Sequence, residues 1–78
     1  MSVTAYVLIQ TEVGRAEKVA KSARQLVGVI DADNVAGPYD VIVKAEANSL
    51  DELGRLVVSE IQKVDGITRT FTCPIVNL

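Results

Sequence analysis

Apolar residues in this chain recur at two different spacings, and the switches between those spacings divide the sequence into alternating strand-like and helix-like segments. Val3, Ala5, Val7 and Ile9 alternate with other residues at the period of a strand, and the β-branched and aromatic content of residues 3–9 agrees. From Gly14 the period lengthens. Ala16, Val19, Ala20, Ala23 and Leu26 or Val27 recur at helical spacing, with Arg15, Glu17, Lys18, Lys21, Arg24 and Gln25 on the other side. Glycine in the usual post-helix position predicts that this helix ends at Gly28. Residues 29–36 alternate weakly and carry Asp31, Asp33 and Asn34, the pattern of a half-exposed edge strand whose charges discourage stray pairing.

Residues 39–47 form the clearest strand pattern, apolar at 39, 41, 43, 45 and 47 and mixed at Asp40, Ile42, Lys44 and Glu46, which predicts a central position. Ser49-Leu50-Asp51-Glu52 fits a capping box, in which the serine hydroxyl accepts from the Glu52 amide and the glutamate reaches back to the serine amide. The helix that starts there has a predicted buried stripe of Leu50, Leu53, Leu56 or Val57, Ile61 and Val64, and its exit is at Gly66. Gly54, inside it, points to close approach by a neighbouring element. Residues 67–76 alternate again, and Pro74, which cannot donate to a ladder, favours an edge.

The order strand, helix, strand, strand, helix, strand is the ferredoxin-like βαββαβ plan. Right-handed crossovers then place both helices on one side of a four-stranded antiparallel sheet, an α+β sandwich in a single domain over residues 1–78. The other sheet face is left bare, collecting Tyr6, Leu8 and Ile42 together with the threonines of the last strand or their alternating partners. At about 25 cal/mol per Å², hiding on the order of several hundred Å² of that face is worth several kcal/mol, comparable with the stability of a small monomer. A homodimer joined sheet to sheet, a dimeric α/β-barrel, is therefore expected.

Composition narrows the function. A chain of 78 residues that is 49% hydrophobic has more apolar surface than so small a domain hides alone, which again implies a partner. A net charge of −2 opposes direct binding to nucleic acid, which calls for a basic face. No apolar run approaches the length needed to span a bilayer, and no basic-then-apolar leader opens the sequence, so no membrane association and a cytoplasmic location are expected. With one cysteine and no histidine, neither an internal disulfide nor a zinc or copper site is expected, and no cofactor. Cys73 reads as a small buried hydrophobe.

The candidate ligand site is the Gly37-Pro38-Tyr39-Asp40 turn. Gly37 tolerates positive φ and close approach, and Pro38 biases it away from the helical region, so such a turn can present bare amides. Tyr39 adds a rigid ring with a polar tip, and Asp40 adds a carboxylate at the first turn of an apolar strand. A zwitterion such as an α-amino acid needs donors for its carboxylate and an acceptor or anion for its ammonium, and these groups supply both. Each residue also has an ordinary reading. The Gly-Pro pair can be a plain hairpin connection, Asp40 a turn cap, Tyr39 a core ring, and Arg69 a solvated or inter-subunit ion-pair residue.

The strings Val-Ala-Gly-Pro-Tyr-Asp-Val-Ile-Val-Lys-Ala-Glu-Ala, Ser-Leu-Asp-Glu-Leu-Gly-Arg-Leu-Val and Val-Asp-Gly-Ile-Thr-Arg-Thr-Phe-Thr-Cys-Pro-Ile-Val together resemble the effector-binding domain of the Lrp/AsnC transcriptional regulators over nearly the whole chain. The resemblance implies a ferredoxin-like domain that dimerises through its sheets, assembles further into an octamer or decamer, and binds an amino acid or similar small metabolite at a subunit interface. It implies ligand contacts at Gly37, Tyr39 and Asp40 in the turn, and at Thr70 and Thr72 in the last strand. Family members usually carry an N-terminal helix-turn-helix; this sequence begins at the first strand and is expected to be a stand-alone effector domain, with a full-length Lrp/AsnC regulator as a partner. The runner-up readings are an ACT-like amino-acid sensor, for which Gly14 occupies the relevant loop, and a cofactor-free enzyme of the dimeric α/β-barrel type. The absence of histidine and tryptophan argues against catalysis, so a non-enzymatic module is expected.

Overall fold

The computed structural model describes residues 2–77; Met1 and Leu78, which the expected domain included, lie outside the described residues. The elements are β1 (Val3–Thr11), α1 (Ala16–Arg24), β2 (Val29–Asn34), β3 (Val41–Ala47), α2 (Leu50–Arg55) and β4 (Ile67–Pro74), with α2 continued by a π-helical stretch, Leu56–Glu60, and a 3-10 turn, Ile61–Lys63. The sheet is antiparallel with strand order β2-β3-β1-β4. β3 is therefore interior, and β2 and β4 form the edges, as their sequence patterns predict.

Strand alternation sorts the side chains onto two faces. Ala5, Val7 and Ile9 of β1 lie beside Ala45, Val43 and Val41 of β3, and with Ala32 of β2 they form the sheet side of the core. The helical layer covers it with Val19, Ala20 and Ala23 from α1 and with Leu53, Val57 and Ile61 from the second helical segment. No polar side chain is buried among the described residues, so the core rests on apolar packing. Arg24, in the last turn of α1, donates from Nε and Nη2 to the carbonyl of Ala32 at 2.9 and 2.6 Å, fastening the helix to edge strand β2.

Helix α1 stops at Arg24, four residues before Gly28, because its last turn tightens. Gln25 donates to the carbonyl of Ser22 and Leu26 to that of Ala23, both three-residue spacings. Leu26 still packs on the core, whereas Val27 is 95% exposed, so the apolar stripe takes the first of the two alternatives.

The second helix departs further from expectation. Its buried stripe is Leu53, Val57 and Ile61, while Leu50, expected in the stripe, is 61% exposed. The capping box forms with a shift of one residue: Ser49 Oγ accepts from the Glu52 amide at 3.1 Å, but Glu52 Oε2 accepts from the Asn48 amide at 2.9 Å rather than from Ser49. Nothing lies within 4 Å of where a Cβ on Gly54 would stand, so this glycine faces open space and no element approaches it closely.

Candidate functional site

Residues 35–40 connect β2 to β3 across the end of β1. The Val35 amide donates to the Asp40 carbonyl at 3.0 Å and the Asp40 amide to the Ile9 carbonyl at 2.9 Å, closing the loop onto the first strand. These backbone bonds leave the amides of Ala36, Gly37 and Tyr39 without a partner among the described residues. Gly37 sits at φ +140°, with nothing within 4 Å of a would-be Cβ, and faces solvent. Gln10 Nε2 donates to the Pro38 carbonyl at 3.1 Å. Asp40 Oδ2 accepts from the Thr11 amide at 2.8 Å, beside the register shift at Gln10 and Thr11 in the β1–β4 pairing. Asp40 is thus a cap with one oxygen engaged.

Tyr39 precedes β3 instead of opening it. Its ring meets Phe71 of β4 edge to face, with centroids 5.9 Å apart and an interplanar angle of 73°. The Arg69 guanidinium lies 5.9 Å from the Phe71 ring centroid, so the turn borders a Tyr39–Phe71–Arg69 cluster. Neither Phe71 nor Arg69 was among the residues expected to contact ligand. The signal for them was available in the alternation of β4, where they fall on the opposite parity to the threonines.

That parity separates the five predicted residues. Thr70 and Thr72 pair with Ile9 and Val7, so they point to the helical side of the sheet, whereas Phe71 and Cys73 pair with Leu8 and Tyr6 on the open side. Thr70 and Thr72 line a groove of about 370 Å³ between β4 and the second helical segment, walled by Leu50, Leu53, Val57 and Val58. Gln62 Nε2 donates to Thr70 Oγ1 there, at 2.9 Å. Gly37, Tyr39 and Asp40 share one loop, and the Tyr39 ring, through its contact with Phe71, lies on the open side of the sheet, opposite the face that carries the threonine groove. Cys73, read from sequence as buried, is exposed, because its register opposite Tyr6 turns it away from the core.

Among the described residues no cluster of histidine, cysteine or carboxylate side chains is arranged to hold a metal, and no helix is long and apolar enough to cross a membrane.

Residues 4–77 match the family model of the Lrp/AsnC ligand binding domain. The chain belongs to the Lrp/AsnC ligand-binding domain family. This Lrp/AsnC domain is 31% identical over 75 residues to an uncharacterized HTH-type transcriptional regulator of Pyrococcus furiosus, a match covering 92% of the chain and 50% of the regulator. The chain spans about half the length of the curated relatives it matches. The crystal structure of a hypothetical protein from Pyrococcus horikoshii is 32% identical, with a TM-score of 0.88 over 97% of this chain and 92% of that one. A transcriptional regulator of Neisseria meningitidis, solved as an L-Met complex, superposes with a TM-score of 0.84 over 96% of this chain and 50% of that one; at 14% identity it shows the shared fold. The Lrp/AsnC match favours the first reading of the turn over the ACT-like alternative.

Proposed function

We propose that this Lrp/AsnC domain is a non-enzymatic sensor of an amino acid or similar small metabolite. It works as a homodimer through its open sheet face, assembles further into a higher homo-oligomer, and modulates a full-length regulator of its family. The observation that carries this is the Gly37–Asp40 loop, whose unpartnered amides and Tyr39 ring sit at the rim of a sheet face that leaves Tyr6 and Phe71 more than two-fifths exposed. The L-Met complex of the Neisseria regulator supports the ligand class.

The division of the predicted residues between two faces of the sheet adds a constraint. A ligand touching both the loop (Gly37, Tyr39, Asp40) and the threonines (Thr70, Thr72) does so between protomers, one supplying the loop and another supplying the groove beside β4. Amides at Gly37 and the threonine hydroxyls donate to the carboxylate, and the free oxygen of Asp40 or a loop carbonyl accepts from the ammonium. Isothermal titration against the twenty amino acids, at millimolar ligand, tests this reading. Heat from one or a few is expected; silence from all, with no thermal shift, overturns it.

A further inference from the structure

We infer that the π-helical turn at Leu56–Glu60 is a one-residue insertion that holds Val58 in the wall of the threonine groove, and that Val58 selects the apolar side chain of the bound amino acid. The selection rests on the sensor reading above; the insertion is a property of the fold and stands apart from it.

Helical spacing reveals the extra residue. At about 100° per residue, an uninterrupted α-helix would carry Glu60 to within about 20° of Leu53, over the core, and Ile61 to about 80° away. The structure has the reverse: Leu53 and Ile61 are both buried, and Glu60 is exposed. The change is made within one turn. The Ile61 amide donates to the carbonyls of both Leu56 and Val57, five and four residues back, and Glu60 leaves the ordinary helical region at φ −120° and ψ −57°. One residue more than an α-helix accommodates therefore lies between buried Val57 and buried Ile61. Single π turns of this kind interrupt helices most often at functional sites.

The added residue decides what faces the groove. Val58 is 61% exposed and lines the groove that holds Thr70 and Thr72, together with Leu50, Leu53 and Val57. With one residue fewer after Val57, Ser59 would stand in the place of Val58, and an apolar wall would become a hydroxyl. No charged side chain lines this groove among the described residues, and the Gln62 amide is engaged with Thr70 Oγ1. A charged ligand side chain would lose water there with no counter-charge to replace it, whereas an apolar one gains from leaving water. Val58 then sets how large that side chain can be.

Two deletions test the insertion. Deleting Val58 leaves Leu53, Val57 and Ile61 four and three residues apart, the spacing of an α-helical face, and is expected to keep the melting temperature within about 5 °C of the unmodified protein at the same concentration. Deleting Lys21 from the regular helix α1 turns Ala23 off the core and is expected to cost more than about 10 °C. Equal losses in the two variants, or failure of the Val58 deletion to fold, overturn the insertion. Isothermal titration with valine, leucine, methionine, phenylalanine, asparagine, aspartate and lysine tests the selection. Heat is expected from apolar members alone, and Val58→Ala, at an exposed position, is expected to change the ratio of dissociation constants between a smaller and a larger apolar member by about fourfold or more. Silence from all seven overturns the selection together with the sensor reading. Heat from a polar or charged member as strong as from any apolar one, or an unchanged ratio in Val58→Ala, overturns the selection and leaves the sensor reading standing.

Discussion

Asp40 and Thr11 are 29 positions apart in sequence, yet the aspartate carboxylate accepts the threonine amide at 2.8 Å, tying the end of β1 to the loop that carries Tyr39. The β1–β3 ladder ends at the pair Ile9 and Val41, so the Thr11 amide, two residues on and directed to the same side of β1, lies beyond it, and the carboxylate takes the place of a strand partner. Structure and candidate site thus share one side chain.

Asp40→Ala removes that acceptor from a half-buried position and is expected to lower unfolding free energy by about 1–2 kcal/mol, while Asp40→Asn, which keeps a carbonyl acceptor, costs less. Urea denaturation at one fixed protein concentration reads the difference, since assembly makes stability concentration-dependent.

Two glycines are expected to respond in opposite directions to alanine. Gly54 lies in a helix with open space at its Cβ position, so Gly54→Ala gains about 0.5–1 kcal/mol. Gly66 is buried at φ +99°, and a Cβ there meets Arg15 Cβ at 3.0 Å and Val19 Cγ2 at 3.3 Å, atoms held by α1 and its entry. Gly66→Ala is expected to cost more than about 1 kcal/mol, from strain and overpacking together. Thermal melts of the two variants should move to opposite sides of the unmodified protein.

The second helical segment offers a similar contrast along its apolar stripe. Ile61 is fully buried, and Ile61→Ala should cost about 2–5 kcal/mol, a large part of the stability of so small a domain. Leu50 belongs to the same sequence periodicity but is largely exposed, so Leu50→Ala should cost less than about 1 kcal/mol. Equal losses by chemical denaturation would contradict the packing described.

Tyr39→Ala and Phe71→Ala both dismantle the edge-to-face pair at the loop. Each is expected to weaken binding of whichever amino acid gives heat with the unmodified protein by about threefold to tenfold, the worth of an aromatic pair. Unchanged affinity in both variants would place the ligand away from this rim.

Local chemistry made much of this molecule legible. The period-2 runs at residues 3–9, 39–47 and 67–76 each hold a strand, although β3 starts only at Val41 and β4 ends at Pro74, and Ser49 and Glu52 marked the start of a helix at Leu50. Pro74 and the charges of β2 marked the two edges. The resemblance carried by the Gly-Pro-Tyr-Asp turn pointed to the right family. Each of these depends on the preferences of a few consecutive residues, which a sequence states directly.

Other features needed the whole sheet. Whether Thr70 or Phe71 faces the helices depends on the register of β4 against β1, a partner some sixty positions away, and changing that register by one residue would exchange the two faces. The same register exposed Cys73 and brought Phe71 to Tyr39. In the second helix, periodicity named Leu50 and Leu53 alike, but only the position of α2 over the sheet buried one and left the other in solvent. Sequence by itself determined which segments become strands and helices, because those choices follow from local backbone preference and the spacing of apolar side chains. Tertiary structure alone decided which face each strand residue joins and which site residues share a surface, because those depend on pairings between distant segments.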